Sequence, residues 1–286
     1  MINKPDIMEF LKAIGVETLP HEAEPYGVFD GPAHPVSMVI LKSRRMRGTE
    51  FGKNIALFHL AGRGNKFENV LHVFPRSETA SRYVHHRLIP ALTKPYTYLN
   101  EQLGDGAAIK ISNITFKHDG HYFTYAGTSA DALRGISVDL LVRDEVGELA
   151  LGAVQNTDVS TSASTHPAVL DIGTPRGNNV LKTLWQQSDM REYFYCCIEC
   201  YEYFQPTMEL LCGITDVGCP SCGREQDKLK AAVEGKWVQM RNPKYSGRIG
   251  FHFTQLINPK IETIQLMRWR EELSAERFRA EILGCY

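Results

Sequence analysis

Residues 137–145 are the stretch that most constrains the fold of this 286-residue chain. They read SVDLLVRDE, a largely apolar run that ends in two adjacent carboxylates, Asp144 and Glu145. Such a run is typical of a strand buried on both faces of a parallel sheet. Because open α/β sheets bind ligands at the carboxyl ends of their strands, the two acids are expected at a binding edge. One carboxylate there can hold Mg²⁺ and its neighbour can polarise a water molecule, although a buried strand followed by a plain acidic turn fits the same residues.

A second apolar strand, residues 36–41, precedes a cationic loop and a helix-like stretch that runs to about Ala61. The loop, residues 42–50, reads KSRRMRGTE. Strand, loop, hydroxyl and helix follow one another as in a phosphate-binding loop, but the regular G-x-x-x-x-G-K-[ST] pattern is not met. A basic turn that contacts only solvent or DNA phosphate would look the same. Taken together with the acidic strand, the loop is interpreted as nucleotide-binding, with Thr49 and Asp144 as magnesium ligands. The predicted nucleotide-binding residues are Lys42, Ser43, Arg44, Arg45, Arg47, Gly48, Thr49 and Asp144.

Length and charge limit what else the chain can be. A chain of this length can hold one large α/β domain and a small second module. Its net charge of −1 produces no global field that would attract nucleic acid, so any DNA contact must come from local basic patches. No apolar stretch approaches the roughly 20 residues that cross a bilayer, and the amino terminus lacks a secretory signal. We therefore expect a cytoplasmic protein with reduced cysteines and no membrane partner.

Predicted strands alternate with predicted helices along the chain, which favours a parallel sheet. A whole strand–helix unit lies between the cationic loop and the acidic strand, as in ATPases whose catalytic Glu directly follows the Walker B Asp. Ser77 is the predicted N-cap of its helix. The predicted elements are helices over 5–16, 77–92 and 178–187, strands over 69–75 and 168–175, and a hairpin within 108–126.

Two C-x₂-C pairs predict a zinc ribbon. Cys197 and Cys200 form the first pair, Cys219 and Cys222 form the second, and residues 201–218 separate them. This spacing suits a tetrahedral four-thiolate site, which has no open coordination position and is therefore structural rather than catalytic. A structural zinc contributes about 10–16 kcal/mol of apparent binding free energy. Since a whole domain is stable by only about 5–15 kcal/mol, the metal would decide whether this region folds.

In their order along the chain, these segments resemble the ATPase half of the large terminase subunit of tailed bacteriophages, particularly its lambda-like branch. The resemblance covers roughly residues 25–284. The cationic loop is similar to that family's deviant Walker A with an early lysine, and Gly173 to Gly177 resembles its coupling motif. The further matching segments are 127–135 (GTSADALRG) before Walker B, the zinc ribbon, 235–238 (GKWV) and 250–253 (GFHF).

The resemblance implies an α/β fold: a P-loop domain of the ASCE, RecA-like type. Its sheet is mostly parallel, helices cover both faces, and a small zinc ribbon is inserted. The expected domains are an N-terminal helical segment (1–24), the P-loop ATPase core (25–190), the zinc ribbon (191–240) and a C-terminal extension that packs on the core (241–286).

By the same resemblance, ATP hydrolysis is coupled to movement of double-stranded DNA into a procapsid. Lys42 and the loop amides hold the β- and γ-phosphates, and Glu145 orients or deprotonates the attacking water. Arg134 is the candidate arginine finger, with a salt bridge inside its own loop as the alternative. Thr174 is expected to sense the γ-phosphate, with a plain strand-ending turn as the alternative. The implied cofactors are ATP, Mg²⁺ and a structural Zn²⁺.

The resemblance also implies partners and a location. The family continues into an RNase H-like nuclease, and this sequence stops about where that domain would begin, so no DNA cleavage is predicted for it. The expected partners are double-stranded DNA, the portal ring, the small terminase subunit, a nuclease on a separate polypeptide or domain, and identical subunits in a packaging ring. The expected location is the host cytoplasm and, transiently, the procapsid portal. The alternatives are another ASCE DNA translocase or helicase, and a DNA- or partner-binding scaffold with a decayed ATP site.

Overall fold

The computed structural model describes residues 6–30, 36–61, 68–93, 112–115, 120–126, 135–177, 179–242 and 247–286. The chain divides into two compact units. The first unit comprises residues 1–17, 26–37 and 47–172, and the second comprises residues 18–25, 38–46 and 173–286. Within the described residues, no helix is both long and apolar enough to span a membrane.

The first unit contains a mostly parallel sheet with the strand order β6-β5-β2-β4-β3. Four of these strands are parallel, and β3 runs antiparallel to β4. Every residue of β2 and β5 is buried, which explains why both strands are apolar apart from His72 and Arg143. The strands are β2 (Val70–Phe74), β3 (Asn113–Thr115), β4 (His121–Ala126), β5 (Leu140–Arg143) and β6 (Ala168–Gly173). The predicted hairpin corresponds to β3 and β4, and its turn lies outside the described residues.

The helix after the cationic loop packs directly on this sheet. This helix, α3 (Gly48–Leu60), is buried along most of its length. Gly52 allows the close approach, because a Cβ atom there would lie 3.1 Å from both Val142 of β5 and Ile172 of β6. The beginning of α3 is thereby held close to β5, the strand that Asp144 directly follows. The other helices of this part of the chain are α1 (Ile7–Ala13), α2 (Ala23–Gly27), α4 (Ser77–Tyr83), α5 (Ile89–Thr93) and α6 (Leu151–Asp158).

A π-helical turn, Val84–Leu88, joins α4 to α5. Pro90 has no N–H with which to bond the carbonyl of His86, and the N–H of Ile89 bonds the carbonyl of Val84, five residues back. The predicted helix over 77–92 is therefore present but irregular. Its N-cap is Arg76, and Ser77, the predicted N-cap, is the first helical residue.

The second unit contains four strands in the order β12-β7-β13-β1. β1, β13 and β7 are parallel, whereas β12 runs antiparallel to β7. Trp237 of β12 packs against Phe251 and Phe253 of β13, with ring centroids 4.9 and 5.8 Å away. The strands are β1 (Val36–Lys42), β7 (Arg191–Cys196), β12 (Lys236–Gln239) and β13 (Ile249–Phe253), and β8 (Tyr203–Phe204) pairs with β7.

A small antiparallel sheet and a helical C-terminal part complete the second unit. The small sheet has the order β11-β10-β9, from β9 (Leu211–Cys212), β10 (Asp216–Gly218) and β11 (Glu225–Asp227). The helices are α7 (Val180–Gln186), α8 (Lys228–Val233), α9 (Thr263–Glu272) and α10 (Ala275–Phe278), followed by a π-helical turn, Arg279–Leu283. Leu266, Phe278 and Ile282 share a buried cluster with Met208 and Leu211. The predicted domain boundaries at 24, 190 and 240 remain predictions.

Candidate functional site

Thr49 and Asp144, separated by 95 positions, are joined by a hydrogen bond. Thr49 Oγ1 donates to Asp144 Oδ2 over 2.6 Å. Thr49 is the second residue of α3, and Asp144 directly follows β5, where its N–H donates to the carbonyl of Val73. Two ligands at adjacent positions of an octahedral Mg²⁺ site lie about 2.9 Å apart for metal–oxygen distances of about 2.0–2.1 Å. The structure thus brings the two side chains predicted as magnesium ligands together, at an oxygen separation slightly shorter than that spacing.

Glu145 has an uncommon backbone conformation. Its φ of +49° and ψ of +48° are left-handed, which only a few per cent of non-glycine residues adopt. Its N–H donates to Asp144 Oδ1 over 3.1 Å, and its carbonyl accepts from the N–H of Glu148 over 2.8 Å. The chain therefore turns sharply after Asp144 into the 3₁₀ turn Val146–Glu148. Such conformations cluster at active sites and cost on the order of 1–3 kcal/mol each.

The cationic loop also uses left-handed backbone, although its sequence lacks the usual glycine. Arg45 has a φ of +62°, and Arg47, the N-cap of α3, has a φ of +54°. Arg47 occupies the position of the second glycine in the regular pattern, so the turn is made at a steric cost that glycine would avoid. Arg47 Nη1 donates to the carbonyl of Glu17 over 3.1 Å.

The beginning of the loop is held by β13 and the C-terminal turn. The N–H of Ser43 donates to the carbonyl of Phe253, and the N–H of Arg44 donates to the carbonyl of Glu281, both over 2.8 Å. The Arg44 side chain pairs with the Glu281 carboxylate over 3.1 Å. Gln255 Nε2 donates to the carbonyl of Arg44 over 2.6 Å. The amides that can face phosphate therefore begin at Arg45, after the predicted Ser43 and Arg44.

His252 reinforces this attachment. Its Nδ1 lies 2.9 Å from both carboxylate oxygens of Glu192, and its Nε2 lies 2.8 Å from the carbonyl of Leu283. Both partners are acceptors, so the geometry requires a doubly protonated ring. Burial by itself lowers the pKa of His252, but hydrogen bonds to Cys285 and Glu192 and the Glu192 charge raise it to about 10.

Lys42 and Thr174, which are 132 positions apart, are also joined. Lys42 Nζ donates to Thr174 Oγ1 over 3.0 Å, and both side chains are buried. Lys42 is the last residue of β1, and Thr174 directly follows β6. The early lysine of the loop is thus linked to the residue predicted to sense the γ-phosphate. Arg134, the predicted arginine finger, lies outside the described residues.

Sequence reasoning missed Arg143, which it treated as part of an apolar run. The side chain is fully buried, and Nε and Nη2 donate to the two carboxylate oxygens of Asp171 over 2.6 and 3.0 Å. Nη1 donates to Asp158 Oδ1 over 2.6 Å and to the carbonyl of Val154 over 3.0 Å. A signal was present, because each of the two predicted strands carries one buried charge and the charges are opposite.

The first unit also has a cavity of about 280 Å³ beside the first turns of α3. Burial by itself raises the pKa of Glu50, but ion pairs with Lys53 and Arg87 lower it below the usual 4.5. Asn54 Nδ2 donates to Tyr26 Oη over 3.0 Å, and its buried Oδ1 has no hydrogen-bond partner among the described residues. The cavity is lined by Ile14, Gly15, Val16, Glu50, Lys53, Asn54, Leu57, His86, Arg87, Pro90 and Ala91.

The four cysteines of the two C-x₂-C pairs converge. Their sulfur atoms all lie within 4.8 Å of one another. The distances from Cys197 Sγ to Cys222 Sγ and from Cys200 Sγ to Cys219 Sγ are both 3.7 Å. Zinc–sulfur bonds of about 2.3 Å in a tetrahedron place sulfur atoms about 3.8 Å apart, whereas a disulfide requires about 2.05 Å. The cluster therefore fits a four-thiolate zinc site.

The relatives of this chain are phage proteins. Residues 14–237 match the family described as phage terminase large subunit gpA, ATPase domain. A comparison with curated proteins finds no match. The large terminase ATPase domain of Thermus phage P74-26 has a TM-score of 0.61 at 13% identity, and all of both chains is covered.

Two longer terminases show the same fold more distantly. The large terminase of the thermophilic bacteriophage D6E, solved in complex with ADP, has a TM-score of 0.50 at 13% identity, over 87% of this chain and 48% of that one. The HK97 bacteriophage large terminase has a TM-score of 0.50 at 18% identity, over 59% of this chain and 36% of that one. These likenesses confirm the predicted fold class, a mostly parallel α/β sheet of the terminase ATPase P-loop type. The family match, which extends over most of the sequence, shows that this chain belongs to the family of phage terminase large subunit gpA ATPase domains.

Proposed function

We propose that the chain hydrolyses ATP to drive double-stranded DNA into a procapsid. The observation that carries this proposal is the 2.6 Å hydrogen bond between Thr49 and Asp144. It joins the hydroxyl at the end of a phosphate-binding loop to the first of two strand-terminal carboxylates, which is the pairing that Mg²⁺-dependent nucleotide hydrolysis requires. Membership of a terminase ATPase family supports the same activity.

Each residue of the site receives a role from its position. The β- and γ-phosphates are bound by the N–H groups at the beginning of α3 and by the Lys42 ammonium. The negative charge of the phosphates offsets the free-energy cost of burying the ammonium group. Glu145 accepts a proton from the attacking water or orients it. Thr174, bonded to Lys42, responds to the γ-phosphate. Arg134 remains the predicted arginine finger.

Two metal ions complete the proposal. Thr49 and Asp144 would hold Mg²⁺, which neutralises phosphate charge when bound. Cys197, Cys200, Cys219 and Cys222 would hold a structural Zn²⁺. Neither ion changes the roles proposed for Glu145 and Lys42.

The cavity beside α3 is proposed to take the nucleoside part of ATP. It begins at Glu50, the residue after Thr49, and therefore lies next to the phosphate-binding amides. Ile14, Val16 and Leu57 supply apolar wall, and Glu50, Lys53 and Arg87 supply polar groups. Small-molecule sites commonly combine apolar walls with a few polar groups in this way.

Steady-state ATP hydrolysis by the wild type and by Glu145→Gln tests the activity. Loss of a general base typically lowers the rate about 10²–10⁴-fold, so a drop of this size is expected. Glu148→Gln is the matched control, because Glu148 is a neighbouring carboxylate, paired at 3.8 Å with Arg76, that has no proposed role. A wild-type rate no higher than that of Glu145→Gln would favour the scaffold with a decayed ATP site.

Coupling to DNA needs its own measurement. Stimulation of ATP hydrolysis by double-stranded DNA, together with uptake of that DNA into procapsids that carry a portal ring, is expected for the packaging motor. Hydrolysis stimulated by DNA without any uptake would instead favour another translocase or helicase of the same fold. The small terminase subunit, a nuclease polypeptide and a ring of identical subunits belong to the same proposal.

A further inference from the structure

Arg143 is a fully buried arginine in the residue position immediately before Asp144. Its guanidinium binds Asp171 of β6 with two parallel hydrogen bonds, and it reaches α6 through the carbonyl of Val154 and the carboxylate of Asp158. One side chain at the end of β5 therefore ties that strand to two other elements of the first unit.

Because Arg143 directly precedes Asp144, these bonds also fix the orientation of Asp144. Successive side chains of a strand point to opposite faces, so Arg143 and Asp144 lie on opposite sides of the sheet. With the guanidinium fixed from one side, the backbone at residue 143 has one orientation, and Asp144 then extends toward Thr49 from the other side. The left-handed turn at Glu145 begins from the same fixed point.

Stability alone does not account for this ion pair. Replacing a buried ion pair by well-packed apolar residues is often neutral or stabilising, so an apolar pair would stabilise a sheet interior equally well. A two-pronged arginine–carboxylate bond adds directional specificity that apolar contacts lack. Since Asp171 lies three residues before Thr174, the same bond ties the strand of the acidic pair to the strand that leads to the proposed sensor.

We infer that Arg143 is a positioning residue for ATP hydrolysis: its paired bonds to Asp171 hold Asp144 against Thr49 and aim Glu145. This inference rests on the proposed function. Arg143 itself contacts neither ATP nor the attacking water. The increase in nucleotide affinity that Mg²⁺ produces should therefore depend on the Arg143–Asp171 pair, whereas the affinity without Mg²⁺ should not.

The test removes the pair without leaving a buried charge. Arg143→Met alone would leave the buried Asp171 carboxylate without its partner and is expected to destabilise the protein strongly, whereas Arg143→Met combined with Asp171→Leu is expected to fold. Arg143→Lys is the second variant, because it keeps the charge and loses the planar fork. Leu170→Ala is the control for general loosening, since it truncates a buried neighbour on β6 and leaves the bonds between Arg143 and Asp171 intact.

Two measurements decide the matter. In the double variant, kcat for ATP hydrolysis is expected to fall at least tenfold and the half-saturating Mg²⁺ concentration to rise severalfold, while Leu170→Ala keeps both near wild type. Arg143→Lys should show the same changes to a smaller extent, and it decides the question if the double variant does not fold. The inference would be overturned if the double variant or Arg143→Lys folded and kept wild-type kcat and Mg²⁺ dependence. Equal losses in Leu170→Ala would overturn it as well.

Binding of a fluorescent ATP analogue separates this inference from the proposed function. Its affinity is measured without turnover. In EDTA the affinity should be the same as wild type in the double variant and in Arg143→Lys, and the increase in affinity on adding Mg²⁺ should be at least threefold smaller than in the wild type. A wild type that binds the analogue but never hydrolyses ATP would refute the proposed activity. The binding comparison would still decide whether Arg143 positions Asp144, because an undiminished Mg²⁺ gain contradicts it.

Discussion

The zinc cluster gives the prediction whose magnitude follows most directly from the structure. Within the described residues, the cysteine segment, residues 197–227, has two other supports. One is a small sheet with strands of two and three residues, Leu211–Cys212, Asp216–Gly218 and Glu225–Asp227, and the other is the buried cluster that Met208 and Leu211 share with Leu266. Isolated sheets of this size are marginal in water. A bound zinc contributes about 10–16 kcal/mol, so its loss exceeds anything that this small sheet can supply.

The unfolding should nevertheless stay local. β7 and β12 flank the cysteine segment, but they pair with each other and pack through Trp237 onto Phe251 and Phe253, contacts that do not involve sulfur. Burial of these rings supplies about 25 cal/mol for each Å² of apolar surface and is independent of the metal. Metal loss is therefore expected to release the two cysteine knuckles, residues 197–202 and 219–224, while the cluster of Met208 and Leu211 stays packed and β1, β7, β12 and β13 remain paired.

The assay combines metal analysis with hydrogen exchange in Cys219→Ser and in chelator-treated wild type. We expect one zinc per wild-type chain and none in the variant. Fast exchange should appear at the knuckle amides of Cys197 and Cys219, which are bonded to the carbonyls of Glu202 and Arg224. Cys212→Ser is the matched control, because Cys212 is a free thiol in the same segment but outside the cluster. Freshly purified reduced protein without zinc, or unchanged exchange after chelation, would refute the reasoning.

Three further predictions concern the nucleotide site and its support. Thr49→Val should lower ATP hydrolysis at least tenfold and raise the half-saturating Mg²⁺ concentration, whereas Thr49→Ser should retain most activity; equal rates in the two variants would contradict the role of the hydroxyl. His252, with a folded pKa of about 10 against 6.5 for the free side chain, contributes stability that is complete below pH 6.5 and is lost as the pH rises toward 10. Denaturant unfolding should show a free energy that decreases by up to about 1.4 kcal/mol per pH unit in that window, and His252→Gln, which loses the charged contact with Glu192, should flatten the profile. Ala91→Phe, which narrows the cavity beside α3, should raise KM for ATP at least threefold with little change in kcat. An unchanged KM would contradict the proposal that this cavity binds the nucleoside.

Local pattern alone predicted the strand before Asp144 and Glu145 and the cluster of four cysteines. The run that ends in Asp144 and Glu145 can be recognised because a strand buried on both faces is mostly apolar, even though β5 includes the buried Arg143. The cysteine pairs are equally easy to recognise in the sequence, because each C-x₂-C turn binds metal through two cysteines three positions apart. Both signals are short-range, so neither depends on the rest of the chain.

Packing partners were decided only by the tertiary structure. Ile264 and Leu266 are both apolar residues of α9, yet the Ile264 side chain is 55% exposed and the Leu266 side chain is fully buried. The phase of that helix is set by the cluster containing Met208 and Leu211, which lie more than 50 positions earlier in the chain. A helical period predicts that one face is buried but not which residues the facing element will cover.

Register decided the site in the same way. The sequence predicted Arg143 and Asp144 at the end of one strand of a parallel sheet and Asp171 within another. That Arg143 lies opposite Asp171 follows from the pairing of β5 with β6, and a shift of one residue would turn each side chain to the other face. Similarly, the bond between Lys42 and Thr174 spans 132 positions. Strand order and register arise from the summed burial of the whole sheet, and no segment by itself encodes them.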